Sequence, residues 1–133
     1  MMTTTVSAQA YSDGQVWEYR TRPNEPRSLL RIAKVETDPK LGEIFHISIV
    51  GLKVSNPNAP TRSSSELPHS PVSRKTLDAS VTKLSDSQVT FPDFHEGYTT
   101  WKEAFDKGKA GVFTIPVTEI ITIVEDALSG KRR

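Results

Sequence analysis

Residues 43–54, EIFHISIVGLKV, alternate in a way that only a strand satisfies. Phe45, Ile47 and Ile49 fall on one side, and His46 and Ser48 on the other. The run is rich in β-branched residues, which suit a pleated surface. Two shorter runs precede it. In GQVWEYRTR, Trp17, Tyr19 and Thr21 oppose Val16, Glu18, Arg20 and Arg22; SLLRIAKVE follows at 28–36. PNEP at 23–26 and TDPKLG at 37–42 cannot continue strands and read as turns. The pattern therefore predicts an antiparallel three-stranded meander.

The spacing also predicts a register. It sets Trp17 near Lys34, Tyr19 near Ile32 and Thr21 near Leu30. It then sets Lys34 near Phe45, Ile32 near Ile47 and Leu30 near Ile49. One face collects Trp17, Tyr19, Leu30, Ile32, Phe45, Ile47 and Ile49, a set that a slip of one residue would scatter.

Residues 54–72 hold four prolines, five serines and two asparagines, and read as a long irregular loop of the kind that carries function or moves. SRKTLDASVTKL then places Leu77, Val81 and Leu84 at helical spacing behind Ser73 as N-cap. SDSQVTFPDFHEG is a connector. YTTWKEAFDKG puts Tyr98, Trp101, Ala104 and Phe105 on one helical stripe, ended by Gly108. GVFTI is a late short strand. PVTEIITIVEDAL is a final helix with Pro116 in its first turn and a stripe of Val117, Ile120, Ile121, Val124 and Leu128. The expected class is α+β: the meander and one late strand, with two to three helices packed on one face. The expected organisation is a mobile segment at 1–12, one domain over 13–130 and a frayed basic tail at 131–133.

The 133 residues suit a single core. Residues 1–66 carry 8 basic and 7 acidic groups, and residues 67–133 carry 9 of each. Neither half has the basic excess of a nucleic-acid binder. Without cysteine there are no disulfides, thiolate chemistry or cysteine-held zinc. MMTTTVSAQA has neither the basic nor the apolar region of a secretory signal, and IPVTEIITIV is too short and polar to span a bilayer. The expected compartment is the cytoplasm.

RTRPNEPRSLLR holds four arginines in twelve residues. The predicted register brings Arg20 opposite Arg31, with Ser48 beyond and His46 in the next row. Facing guanidinium groups repel unless a carboxylate or phosphate neutralises them. Arg20, Arg31, His46 and Ser48 are thus a candidate anion site; a wet sheet face whose arginines pair with acids such as Glu18 is the plainer reading. His46, His69 and His95 show no HxH or HxxxH spacing, so a shared site requires the fold to bring them together, and no metal is expected. Asp78 and Asp93 could orient a histidine, but no nucleophile elbow or nucleotide-binding loop is present. Glu103 and Asp106, with Lys102 and Lys107 beside them, read as a solvated helix face. Phe91, Phe94, Tyr98 and Trp101 lie within eleven residues. They are either a partner-binding surface or the packing of a connector on the sheet.

These features point to a small non-enzymatic protein-binding module of bacterial type, with an immunity, inhibitor or adaptor role. It would act without cofactor, nucleic acid or membrane. The alternatives are a small-anion or nucleotide sensor using the arginine face, and a small enzyme with His46 or His69 as acid/base.

Overall fold

The computed structural model describes residues 10–60 and 62–129. Strands β1 (Val16–Tyr19), β2 (Leu29–Asp38), β3 (Gly42–Ser55), β4 (Ser63–Val72) and β5 (Val81–Ser85) form one antiparallel sheet in the order β4-β3-β2-β1-β5. Helix α1 (Arg74–Ser80) joins β4 to β5, and α2 (His95–Asp106) and α3 (Val117–Ser129) follow. The class is α+β, and the meander is extended by one strand on each side.

The predicted apolar face is buried as a set: Trp17, Tyr19, Leu30, Ile32, Phe45, Ile47 and Ile49 are all core residues. In the second hairpin Leu30 faces Ile49 and Ile32 faces Ile47, as expected. The first hairpin is corrected. Trp17 faces Leu30 rather than Lys34. This shift of four residues is even, so every side chain keeps its face while its neighbours change. Past the end of β1 the Arg20 amide donates to the Ser80 carbonyl, and the loop that follows buries Glu25.

Residues 54–72 are not a long irregular loop. Ser63–Val72 form β4, paired with β3. An edge strand tolerates proline, since its outward row of amides needs no partner, and Pro68 and Pro71 sit on that edge. The predicted helix over 73–84 is half right. The Ser73 hydroxyl accepts from the Thr76 amide as N-cap, but VTKLS leaves the helix to pair with β1, and Leu84 is exposed. GVFTI gives only an isolated bridge between Phe113 and Val72. Tyr11, expected to be mobile, is buried against Trp17 and Phe45 and donates to Asp78 at 2.6 Å. Ala10 and Ser12 are tied to Gln15, the Ala10 carbonyl accepting from its side-chain amide and the Ser12 amide donating to its Oε1; residues 1–9 and the basic tail at 131–133 lie outside the described residues.

The helices do not share one face. Leu77 of α1 and Val117, Ile120 and Ile121 of α3 join the core cluster with Ile32 and Ile47. Trp101 of α2 instead packs on His46. His46 alternates with Phe45 and Ile47, so α2 covers the opposite face of the sheet. Its stop is a paired one: the Gly108 amide donates to the Phe105 carbonyl and the Lys109 amide to that of Ala104, with Gly108 at φ 73°.

Arg22 has a structural partner set. Its guanidinium grips the Glu25 carboxylate through two bonds of 3.0 and 2.7 Å and reaches Glu125 of α3 at 2.9 Å. Glu25, 1% exposed, also accepts from the Lys53 amide at 2.7 Å. The network ties the first hairpin loop to β3 and α3. Arg22→Ala strands a buried carboxylate and should cost about 3–5 kcal/mol. Arg31→Gln, on an exposed position, should change stability by no more than about 0.5 kcal/mol. Urea-unfolding midpoints check the contrast, and equal losses contradict it.

Candidate functional site

Two irregularities in the sheet build the site. β2 carries an extra residue at Ala33, where the register against β3 shifts between Ile32 and Lys34. Without it, Lys34 and Glu36 would turn into the apolar core. With it, Val35 packs against the core, and Lys34 and Glu36 move to the face of His46. β4 has a second shift, between the pairs Ile47–Ser70 and Ile49–Leu67, so that Pro68 and His69 together oppose Ser48. His69 thereby reaches the same face, diagonal to His46.

The outcome is a chain of three side chains. Glu36 Oε1 lies 2.7 Å from His46 Nε2, and His46 Nδ1 lies 2.9 Å from His69 Nε2. His46 is fully buried and His69 half-buried. Tyr98 and Trp101 of α2 meet the His46 ring edge-on at 4.8 and 4.9 Å. Lys102 stands 3.9 Å from the other Glu36 oxygen. Gly97 lets the helix come this close, because a Cβ there would fall 2.7 Å from His69 Cβ.

The proton positions follow from the bonds. A carboxylate only accepts, so His46 carries its proton on Nε2 and donates it to Glu36. Burial lowers the pKa of His46 and outweighs the pull of Glu36, so the ring is neutral and its Nδ1 is an acceptor. His69 must then donate from Nε2. Burial, and secondarily the neighbouring His46, lower its pKa to about 4. His69 is therefore also neutral, and its Nδ1 keeps a lone pair without a hydrogen-bond partner among the described residues. His69 lines an open depression of about 530 Å³ with Pro68, Asp93, Glu96, Gly97, Thr100 and Trp101. The Trp101 indole cannot donate into it, since Nε1–H is bonded to the Gly111 carbonyl at 2.8 Å.

The candidate anion group comes together only in part: Ser48 lies opposite Arg31, as expected. The register places Val16, not Arg20, opposite Arg31. Arg20 donates to the Ala79 carbonyl at 3.1 Å. Ser48 is buried and donates to the Pro68 carbonyl at 2.7 Å, and His46 belongs to the relay. Of the aromatic candidates, Trp101 is buried, while Phe91, Phe94 and Tyr98 stay partly accessible. Glu36 and Gly97 escaped sequence reasoning. Gly97 read as the end of the connector, and the structure instead places it in the first turn of α2, so no helix-interior glycine stood out in the sequence.

Among the described residues, no three His, Asp or Glu side chains are grouped to hold a metal ion, and no helix is long and apolar enough to cross a membrane. No family model matches the chain, and no curated protein or solved structure matches it.

The relay predicts a pH dependence. The unfolded chain protonates these two imidazoles near their ordinary 6.5, whereas the folded chain resists until lower pH. The unfolded state therefore binds more protons as pH falls from about 6.5, and stability should decline there. The lowered carboxyls of Asp38 and Asp93 start from 3.8 and act only at lower pH. The urea midpoint should be flat above about pH 7.5 and fall between 6.5 and 5, with a smaller fall in His69→Asn. A midpoint constant across that range contradicts the neutral pair.

Proposed function

We propose that the chain is a small protein-binding module, of the inhibitor, immunity or adaptor kind. It docks through residues 91–98 and the adjoining edge of β4. One observation carries this reading: Phe91, Phe94 and Tyr98 keep part of their surface in solvent, while the helix bearing Tyr98 is fixed from below by the relay. Partly exposed aromatics on a rigid support make good anchors, because little entropy is lost when a partner covers them. Asp93, between the two phenylalanines in sequence, lines the depression at His69, so the aromatic and polar parts of the surface are continuous.

The relay itself favours a second reading, an enzyme with His69 as general base. Magnitudes weigh against it. A base with a pKa of about 4 is poorly matched to neutral pH, since proton transfer is most efficient when the two are close. Neither imidazole hydrogen-bonds a serine or threonine among the described residues, so no activated nucleophile accompanies them. The anion-sensor reading has lost the arginine pairing that motivated it.

A Phe91→Ala/Phe94→Ala double variant tests the docking face. It should remain folded by circular dichroism and fail to retain the partner that wild-type protein co-purifies from its native host. Undiminished recovery of that partner by the variant, identified by mass spectrometry, excludes this face.

A further inference from the structure

The depression at His69 has a definite chemical preference. Its lining side chains offer acceptors and almost no donors. His69 presents the Nδ1 lone pair left over by the relay. Asp93 and Glu96 add carboxylates, Pro68 has no amide hydrogen, and the Trp101 N–H is occupied by Gly111. Among the lining side chains only the Thr100 hydroxyl can donate.

The nearby cations are committed elsewhere. Lys102 lies between Glu36 and Asp106, and Lys34 over the Tyr98 ring. His95 is bonded to Asp93 through both its amide and its ring. The start of α2 contributes a partial positive charge equivalent to roughly half an elementary charge, less than two carboxylates cancel. An anion is therefore disfavoured here. Pro68 and Trp101 form an apolar wall beside the acceptors, which suits a methylene stem ending in a charged head.

We propose that this depression receives a basic side chain, lysine or arginine, from the protein partner. Its ammonium or guanidinium group donates to His69 Nδ1, and Asp93 and Glu96 balance its charge. Its stem lies along Pro68 and Trp101. The relay's contribution is the tautomer: Glu36 fixes His46, and His46 holds the proton of neutral His69 on Nε2, so the outward nitrogen accepts. The inference rests on the partner-binding reading and specifies what the partner inserts.

Capped peptides carrying a single lysine, arginine or glutamine are the probes, titrated into the full chain while the imidazole ¹⁵N resonances of His69 are followed. The lysine and arginine peptides should shift Nδ1 and bind about ten-fold or more tighter than the glutamine peptide. Asp93→Asn/Glu96→Gln changes two exposed residues and retains a side-chain acceptor for the His95 amide; it should remove most of that advantage, as should high salt. Equal binding of the three peptides, or unchanged lysine binding by the double variant, overturns the proposal. If the host partner is lost in Phe91→Ala/Phe94→Ala but kept in Asp93→Asn/Glu96→Gln, docking on this face stands and the basic-side-chain inference fails. If the phenylalanine variant keeps the partner, the docking reading itself fails.

Discussion

The hydrogen bond between Glu36 and His46 organises one whole side of this protein. A buried imidazole needs partners for both nitrogens, because an unmet polar group in the interior is costly. Glu36 meets one nitrogen and His69 the other. These three residues come from β2, β3 and β4, so the bonds also fix how those strands present themselves to α2. The helix adds Trp101 and Tyr98 over the His46 ring and closes on His69 at Gly97. Ile44, buried on the same face as His46, lies outside the main core cluster. The α2 layer is thus a second, more polar packing centre, distinct from the aliphatic one under α1 and α3.

The aliphatic side was legible in the sequence. Alternation decides which face a residue occupies, and parity survives even a four-residue error in register. Trp17, Tyr19 and Ile32 were therefore assigned to the core correctly, although Trp17 faces Leu30. Cross-strand neighbours carry no such protection. The Arg20–Arg31 pairing depended on the register itself and disappeared with it. Composition misled at 63–72, where serine and proline suggested a loop and the edge position permitted a strand. At 81–85, helical spacing of Leu77, Val81 and Leu84 was outweighed by the open edge of β1, which offered backbone pairing.

The site was legible only as separate residues. His46 and His69 stood out as titratable groups, but their meeting requires the shifts at Ala33 and at Pro68–His69, neither of which has a local signature in the sequence. Ala33 in particular looks like an ordinary strand residue. Its consequence is carried by Glu36, which a regular register would have directed into the core. RTRPNEPRSLLR had a mixed answer: Arg22 is a structural clasp for Glu25 and Glu125, and Arg20 caps the Ala79 carbonyl.

Glu36 and His46 hold His69 as the neutral Nε2–H tautomer with its Nδ1 lone pair outward. Two-dimensional ¹H–¹⁵N spectra of the imidazole rings, followed from neutral to acidic pH, test it directly. Both His46 and His69 should be neutral Nε2–H tautomers at pH 7, and His69 should keep this form until the pH approaches about 4. An Nδ1–H tautomer at His69, or its titration near the ordinary 6.5, contradicts the relay and everything argued from it.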